Sequence, residues 1–377
     1  MFSFTVKGAS MTFDILQGDV LTRLADLPDG CVNMCVTSPP YFGLRNYGTG
    51  TWEGGDTGCQ HVLGDDNCCT LCGAEYKDFQ IGLESTPKAY IDSLVKVFRE
   101  VRRVLRDDGV LWVNIGDSYA GSGKGRCADG SFRVTEGLGK ITANSKGQIK
   151  GVLRNSNHIE GCKPKDLIGI PWMFAFAMRE DGWYLRQDII WAKPNPTPES
   201  VQDRCTRSHE YIFMFSKSRR YYFDHEAMQE IAVDGVSRRN KRDVWTVPVS
   251  KVKEAHFATY PEELVEPCIL ATSPMGGLVI DTFNGSGTTG IVAVKNGRNY
   301  IGFELNPEYV DVTDARVHRE CPLMDITVDS PDLAEHIAQV AGCLADTQLK
   351  ASEPSLCVEV SAHTFPTDIV AMVNEDK

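Results

Sequence analysis

The 377-residue sequence predicts an α/β, Rossmann-like fold, with a mostly parallel sheet and helices on both faces. Three observations predict it. Short apolar runs of strand length alternate with stretches in which apolar residues recur at helical spacing. One apolar run passes directly into Thr37-Ser38-Pro39-Pro40-Tyr41. Another, at 278–281, passes into a glycine-rich loop, a helix and a further strand that ends in Glu304.

The elements follow in chain order. Residues 1–11 read as an extension that precedes the fold. Residues 12–19 form a short strand that ends in a polar turn. Val20, Leu21, Leu24 and Leu27 give the next segment a helical face, and Pro28-Asp29-Gly30 stops it. Residues 31–36 are a buried strand. Two successive prolines cannot continue it, since neither has an N–H to donate and both fix φ. Ser38 and Tyr41 are therefore expected on a stiff turn at the carboxyl end of a strand. That is the edge at which open α/β sheets bind ligands.

A glycine-rich loop over 43–82 carries Cys59, His61, Cys68, Cys69 and Cys72. Cys69-x-x-Cys72-Gly73 has the spacing of a zinc knuckle, and Cys59 with His61 supplies two further ligands. Cys68 is an alternative to Cys69. The competing reading is a set of incidental thiols. The chain has thirteen cysteines and shows no secretory signal, which points to reduced thiols, a cytoplasmic protein and a structural Zn2+ rather than a disulfide framework.

Thr86 caps a helix over 86–105 with Pro87 in its first turn, and Asp107-Asp108-Gly109 ends it before a strand at 110–115. Residues 120–165 have little periodicity and are rich in Lys and Arg, Lys140, Lys146 and Lys150 among them. They read as an insertion that is either simply solvated or in contact with a polyanion. A helix is expected beyond Pro171, then strands at 183–191 and 209–215. Residues 221–224 are expected to pair with the second of these as a hairpin. The segment from Arg219 to Lys253 is again rich in Arg and Lys, with Arg238 and Arg239 in its 225–250 part. A helix at 261–270, strands at 278–281 and 300–304, and helices at 291–295 and 307–319 complete the fold. The 321–377 tail is acidic, with one amphipathic helix expected at 333–344. Net charge is −12, so any hold on a nucleic acid must come from local clusters of basic side chains. No apolar stretch is long enough for a membrane span.

Gly285-x-Gly287-x-x-Gly290, with Glu304 after the next strand, is a mononucleotide-binding pattern. Alone it suits a nicotinamide dehydrogenase as well as it suits S-adenosylmethionine. Both ligands need close backbone approach and an acid for a ribose diol. The Pro-Pro-Tyr turn breaks the tie.

Ser38-Pro39-Pro40-Tyr41 resembles the Asp/Asn/Ser-Pro-Pro-Tyr/Phe/Trp motif of the amino-methylating DNA methyltransferases. Asp281-Thr-Phe283-Asn-Gly285-Ser286-Gly287-Thr288-Thr289 resembles the cofactor loop of the β class of that family, with Thr282 in place of a usual Pro. Glu304-Leu-Asn306-Pro-Glu-Tyr resembles its ribose-binding segment, and Gln17-Gly18-Asp19 the segment whose acid lies near the adenine amine. His256-Phe-Ala-Thr-Tyr260-Pro resembles the segment that closes over the methionine part. The resemblance covers 14–319 and treats the Cys/His cluster and the basic loop as insertions.

It implies a seven-stranded S-adenosylmethionine-dependent methyltransferase domain over 12–320, acting on double-stranded DNA. Ser38 and the Pro39 carbonyl would accept from an exocyclic amine, Pro40 would stiffen the turn, and Tyr41 would stack on a flipped base. In this family a serine usually accompanies N4-cytosine methylation and an aspartate N6-adenine, so cytosine is the first reading and adenine the second. A non-catalytic zinc-containing DNA-binding protein is a more distant alternative. Lys140, Lys146, Lys150, Arg238 and Arg239 are the expected DNA contacts.

Overall fold

The computed structural model describes residues 11–322 and 326–328, apart from 45, 65, 121–158, 160 and 250–259. The first segment contains β1 (Met11–Gln17), α1 (Val20–Ala25) and β2 (Val32–Thr37). The loop insertion carries β3 (Thr51–Glu53) and β4 (Glu75–Lys77). Then come α2 (Pro87–Val104), β5 (Leu105–Ile115), α3 (Ile170–Glu180), β6 (Tyr184–Ala192) and β7 (His209–Ser216). Two short strands, β8 (Gln229–Ile231) and β9 (Arg238–Asn240), precede β10 (Val244–Thr246). The last part runs α4 (Glu262–Thr272), β11 (Leu278–Asp281), α5 (Thr288–Lys295), β12 (Asn299–Glu304), α6 (Pro307–Glu320) and β13 (Ile326–Val328).

The main sheet has the order β10-β6-β7-β5-β2-β11-β12-β1-β13. The expected seven strands form its body, and a three-residue strand is added at each edge. β7 is antiparallel to both neighbours, and every other pairing is parallel. One face packs against α1, α2 and α3 through residues such as Leu24, Leu94, Phe98 and Phe174. The other packs against α4, α5 and α6 through Leu264, Ile269, Ile291 and Val317. Burial on both faces explains why β2 and β11 are apolar without alternation.

α2 forms for the reasons legible in its sequence. The Thr86 side chain accepts from Ala89 N at 3.1 Å, Pro87 opens the helix, and Ile91, Leu94, Phe98 and Val101 fall on its buried stripe. It ends earlier than expected. Leu105 already belongs to β5, and Asp107-Asp108-Gly109 form a bulge within that strand, between the Val32–Leu105 and Met34–Val110 pairings.

The hairpin expected at 221–224 does not form. β7 is already paired on both edges, with β5 and β6, so no edge is free. The segment is tied instead to the start of β5, where Tyr222 N donates to Asp108 O at 2.9 Å, and to α4, where Asp224 N donates to Ala271 O at 2.7 Å. α5 begins at Thr288 rather than 291. The helix expected at 333–344 lies outside the described residues. No helix among the described residues is long and apolar enough to cross a membrane.

Candidate active site

A cavity of about 730 Å³ opens at the carboxyl edge of the sheet. Ser38 to Tyr41 reach it from the end of β2, Gly18 and Asp19 from β1, and Asn114 from β5. Phe283 to Ser286 reach it from β11, and Glu304 to Asn306 from β12. Because β7 is reversed, its amino-terminal end, with His209 and Glu210, lies at the same edge.

The Pro-Pro turn is fixed from below. The fully buried Tyr90 of α2 donates its hydroxyl to the Pro40 carbonyl at 2.8 Å. The Pro39 carbonyl has no donor among the described residues. The Tyr41 ring lies against Gly116, where a Cβ would approach it to 2.6 Å. Its hydroxyl donates to Glu210 Oε2 at 2.7 Å. Burial first, and then the Glu210 carboxylate, push the Tyr41 phenol well above its ordinary range, so it stays protonated. The Ser38 hydroxyl lies 3.4 Å from Asn114 Oδ1.

The glycine loop is built on Asp281. This buried carboxylate accepts from Thr37 Oγ1 at 2.5 Å, Thr289 Oγ1 at 2.6 Å, Tyr260 OH at 3.0 Å and Phe283 N at 3.0 Å. Thr282, which stands where a proline was expected, donates its hydroxyl to Thr37 Oγ1 at 3.2 Å and so ties the loop by a different bond. Gly287 has a φ of 76°, and a Cβ there would lie 2.3 Å from Thr313 of α6. α6 also sends in Arg316, whose Nη1 donates to Ser286 O at 2.6 Å and Thr288 Oγ1 at 3.1 Å.

Of the residues expected to hold the cofactor, Asp19, Phe283, Gly285, Ser286, Thr288, Glu304 and Asn306 line the cavity. Asp281, Gly287 and Thr289 do not. The first and last are saturated by each other and by neighbours behind the loop, and Gly287 is packed on α6, so their place is in support of the loop.

The lining fits S-adenosylmethionine. At Gly285 the nearest atom to an added Cβ is 3.9 Å away, so a ligand can approach the backbone. Glu304 lies beside it and accepts from Gly285 N and Asn306 N, both at 2.8 Å. Burial raises the Glu304 carboxyl to about 7, against those two N–H donors. Asp19 caps α1 by accepting from Thr22 N at 3.0 Å.

The structure brings Cys59, His61, Cys69 and Cys72 together, with all four ligand atoms within 4.8 Å of one another. Cys59 Sγ and Cys69 Sγ are 3.8 Å apart, and Cys72 Sγ and His61 Nδ1 are 3.3 Å apart. Two thiolates about 2.3 Å from a tetrahedral zinc lie about 3.8 Å from each other, and a thiolate and an imidazole nitrogen about 3.5 Å. The set fits that ion. Cys69 is the inward thiol and Cys68 is not in the group. Burial opposes ionisation of Cys69, but N–H groups of Val62, Leu71 and Cys72 and the His61 side chain outweigh it and bring the thiol down to about 5. Trp52 stacks on the His61 ring with centroids 4.6 Å apart.

The basic residues divide. Arg238 and Arg239 lie on the β8–β9 hairpin and do not line the cavity. Arg238 is exposed, whereas Arg239 Nε is bonded to Glu230 at 2.9 Å, as is Arg242 at 2.8 Å. Lys140, Lys146 and Lys150, like His256, lie outside the described residues. The site residues that sequence reasoning missed are Asn114, Glu210, Lys193, Tyr90 and Arg316. None stands in a local motif, and each enters through strand or helix packing.

Solved structures share this fold. A putative DNA modification methylase from Thermus thermophilus, solved with S-adenosyl-L-methionine, superposes with a TM-score of 0.51 at 24% identity, covering 85% of this chain and 100% of its own. The cytosine-N4-specific PvuII DNA methyltransferase gives 0.54 at 18% identity, covering 89% and 94%. Fold and site define the class of S-adenosylmethionine-dependent methyltransferases. A DNA methylase family, that of the N6 and N4 enzymes, matches residues 32–315, and the chain belongs to it. Type II methyltransferase M.Cfr9I of Citrobacter freundii is 45% identical over 81% of this chain and 88% of its own length. M.XycI of Xanthomonas campestris pv. cyanopsidis is 44% identical over 80% and 87%.

Two measurements follow from the geometry. The purified protein should carry one zinc per chain. Cys72→Ser should lower zinc content and melting temperature together, and full stability in a metal-free protein would exclude the site. If Glu304 holds the ribose, S-adenosylmethionine titrations should show affinity rising with pH through about 7, because a diol would donate to the ionised carboxylate. Glu304→Gln should bind more weakly and lose that pH step.

Proposed function

We propose that this DNA methyltransferase modifies the N4 amine of cytosine, working in the bacterial cytoplasm. The observation that carries this reading is a serine, not an aspartate, at the head of the Pro-Pro-Tyr turn, beside a cavity shared with the glycine loop. An exocyclic amine is a poor nucleophile because its lone pair is delocalised into the ring. Acceptors at its two hydrogens hold the nitrogen in a more sp³-like geometry and free the lone pair. The Ser38 hydroxyl oxygen and the Pro39 carbonyl are those acceptors in this reading. The prolines and Tyr90 hold them in place, so little reorganisation is needed at reaction. Tyr41 supports the flipped base. S-Adenosylmethionine supplies an electrophilic sulfonium methyl group, and Glu304, Asn306 and the loop at Gly285 would hold it. The cytosine-N4-specific PvuII enzyme has the same fold, which agrees with this reading. A serine oxygen accepts equally from adenine N6, so adenine is the second reading.

Methylated DNA digested to nucleosides should yield 4-methyldeoxycytidine by mass, and 6-methyldeoxyadenosine in its place would overturn the base assignment. Tyr41→Ala should reduce turnover by the loss of stacking worth about 1–3 kcal/mol, with S-adenosylmethionine binding nearly intact. Unchanged turnover would remove Tyr41 from the role.

We assign Lys140, Lys146 and Lys150 to phosphate contacts and Arg238 and Arg239 to the region that reads bases, with Arg239 reaching a base only if it leaves Glu230. A triple Lys→Ala variant should bind all sequences more weakly, with the log–log salt slope reduced by about one unit for each phosphate no longer neutralised. Wild-type affinity and slope would exclude the loop, and unchanged methylation sites after Arg238→Ala would exclude that side chain from recognition.

A further inference from the structure

A serine hydroxyl can both donate and accept, so its role toward an amine depends on where its own hydrogen goes. In this site the hydrogen can go to Asn114 Oδ1 or to the Tyr41 hydroxyl oxygen, and both of those groups are hydrogen-bonded to Glu210. Asn114 Oδ1 lies 3.4 Å from Ser38 Oγ. It also lies 3.2 Å from the Tyr41 oxygen, but that hydroxyl has only one hydrogen and a shorter partner, Glu210 Oε2 at 2.7 Å. Asn114 Oδ1 is thereby left for Ser38.

The Asn114 amide is oriented by its other end. Its Nδ2 donates to Glu210 Oε2 at 3.1 Å and to the Tyr211 carbonyl at 3.2 Å. Both partners only accept, so a flipped amide would set oxygen against two oxygens and present N–H to Ser38. The second Glu210 oxygen takes the Lys193 ammonium, which lies 4.1 Å from the Trp191 ring centroid. Ser38, Asn114, Glu210 and Lys193 all line the cavity.

We propose that Glu210 is a positioning residue for methyl transfer: through Asn114 and Tyr41 it draws the Ser38 hydrogen inward and leaves the Ser38 oxygen free to accept from the substrate amine. The inference rests on the reading of Ser38 as an amine acceptor. Lys193 fixes which oxygen of Glu210 faces inward. A glutamine at 210 would be turned by Lys193, with its carbonyl toward the ammonium and its NH2 toward Asn114. That reverses the polarity of the whole chain of bonds.

The test uses the full-length enzyme and single-turnover methyl transfer at saturating DNA and S-adenosylmethionine. Glu210→Gln should slow transfer roughly tenfold to a hundredfold, with the Kd of each ligand within about threefold of wild type. Adding Lys193→Met should recover most of that loss, because the glutamine can then turn its oxygen back to Asn114. A purely structural loss would deepen on the second substitution. In a Ser38→Ala background, Glu210→Gln should have little further effect.

Additive losses, or no recovery with Lys193→Met, overturn the proposal and leave the Ser38 reading standing. Wild-type transfer by Ser38→Ala overturns the Ser38 reading itself. If Glu210→Gln does not fold, Asn114→Leu must show the same non-additivity with Ser38→Ala, and additivity there counts equally against the proposal.

Discussion

The bond from Thr37 to Asp281 joins the two halves of the site. Thr37 is the last residue of β2 and the neighbour of Ser38, and Asp281 is the last of β11 and opens the glycine loop. The strands are adjacent and parallel, so their carboxyl ends emerge side by side. A carboxylate buried there would be costly without partners. Four donors offset part of that cost, and each brings a different piece of chain to a fixed place. Thr37 brings the Pro-Pro turn, Phe283 N the loop, Thr289 the first turn of α5, and Tyr260 the entry to α4. The relative position of the Pro-Pro turn and the glycine loop is thus a property of one side chain. Burial still raises the Asp281 carboxyl above its usual range, against the hydrogen bonds from Thr289, Thr37, Phe283 and Tyr260.

The parts legible in the sequence were those whose physics is local. Two prolines end a strand whatever surrounds them, and a strand, glycine loop and helix at Asp281 to Gly290 declare a ligand cradle by spacing alone. Cys69 and Cys72 declare a knuckle in the same way. The parts that were not legible depend on tertiary partners. Nothing near Glu210 in the sequence distinguishes it from any acid at the start of a strand. Its place in the site follows from the reversal of β7, which the sequence does not mark. Arg316 reads as one of many surface charges on α6, yet it is buried and holds the glycine loop. The choice between Cys68 and Cys69 was open for a related reason. Adjacent residues point oppositely, and only the folded insertion shows that Cys69 is the buried thiol that joins Cys59, His61 and Cys72.

The same distinction separates the residues of the glycine loop. A motif match assigns Asp281, Gly285, Gly287 and Thr289 to one function, because it sees only their order. In the structure they do different work. Gly285 offers open backbone to a ligand, Gly287 lets α6 approach, and Asp281 with Thr289 holds the loop from behind. Substitution at the last two would disturb ligand binding through the shape of the loop, although neither side chain lines the cavity.

The Cys/His insertion has a structural relation to the turn that its position in sequence conceals. It leaves the site at Gly43 and returns at Gly82, and Gly43 N donates to Gly82 O at 2.8 Å. Gly82 packs beneath the turn, where a Cβ would lie 3.1 Å from the Tyr41 carbonyl and 3.4 Å from that of Pro40. The two flanks of the same insertion, through Leu44, Tyr47, Phe79 and Ile81, wall the cavity. A chain of this length with two short strands of its own has little core to hold it. Ordering it carries a loop-closure cost that grows with length, and a metal clip at its far end shortens the free segments that must be ordered. The knuckle is therefore coupled to the Pro-Pro turn through the stiffness of the wall between them, although its four Cys and His side chains do not line the cavity.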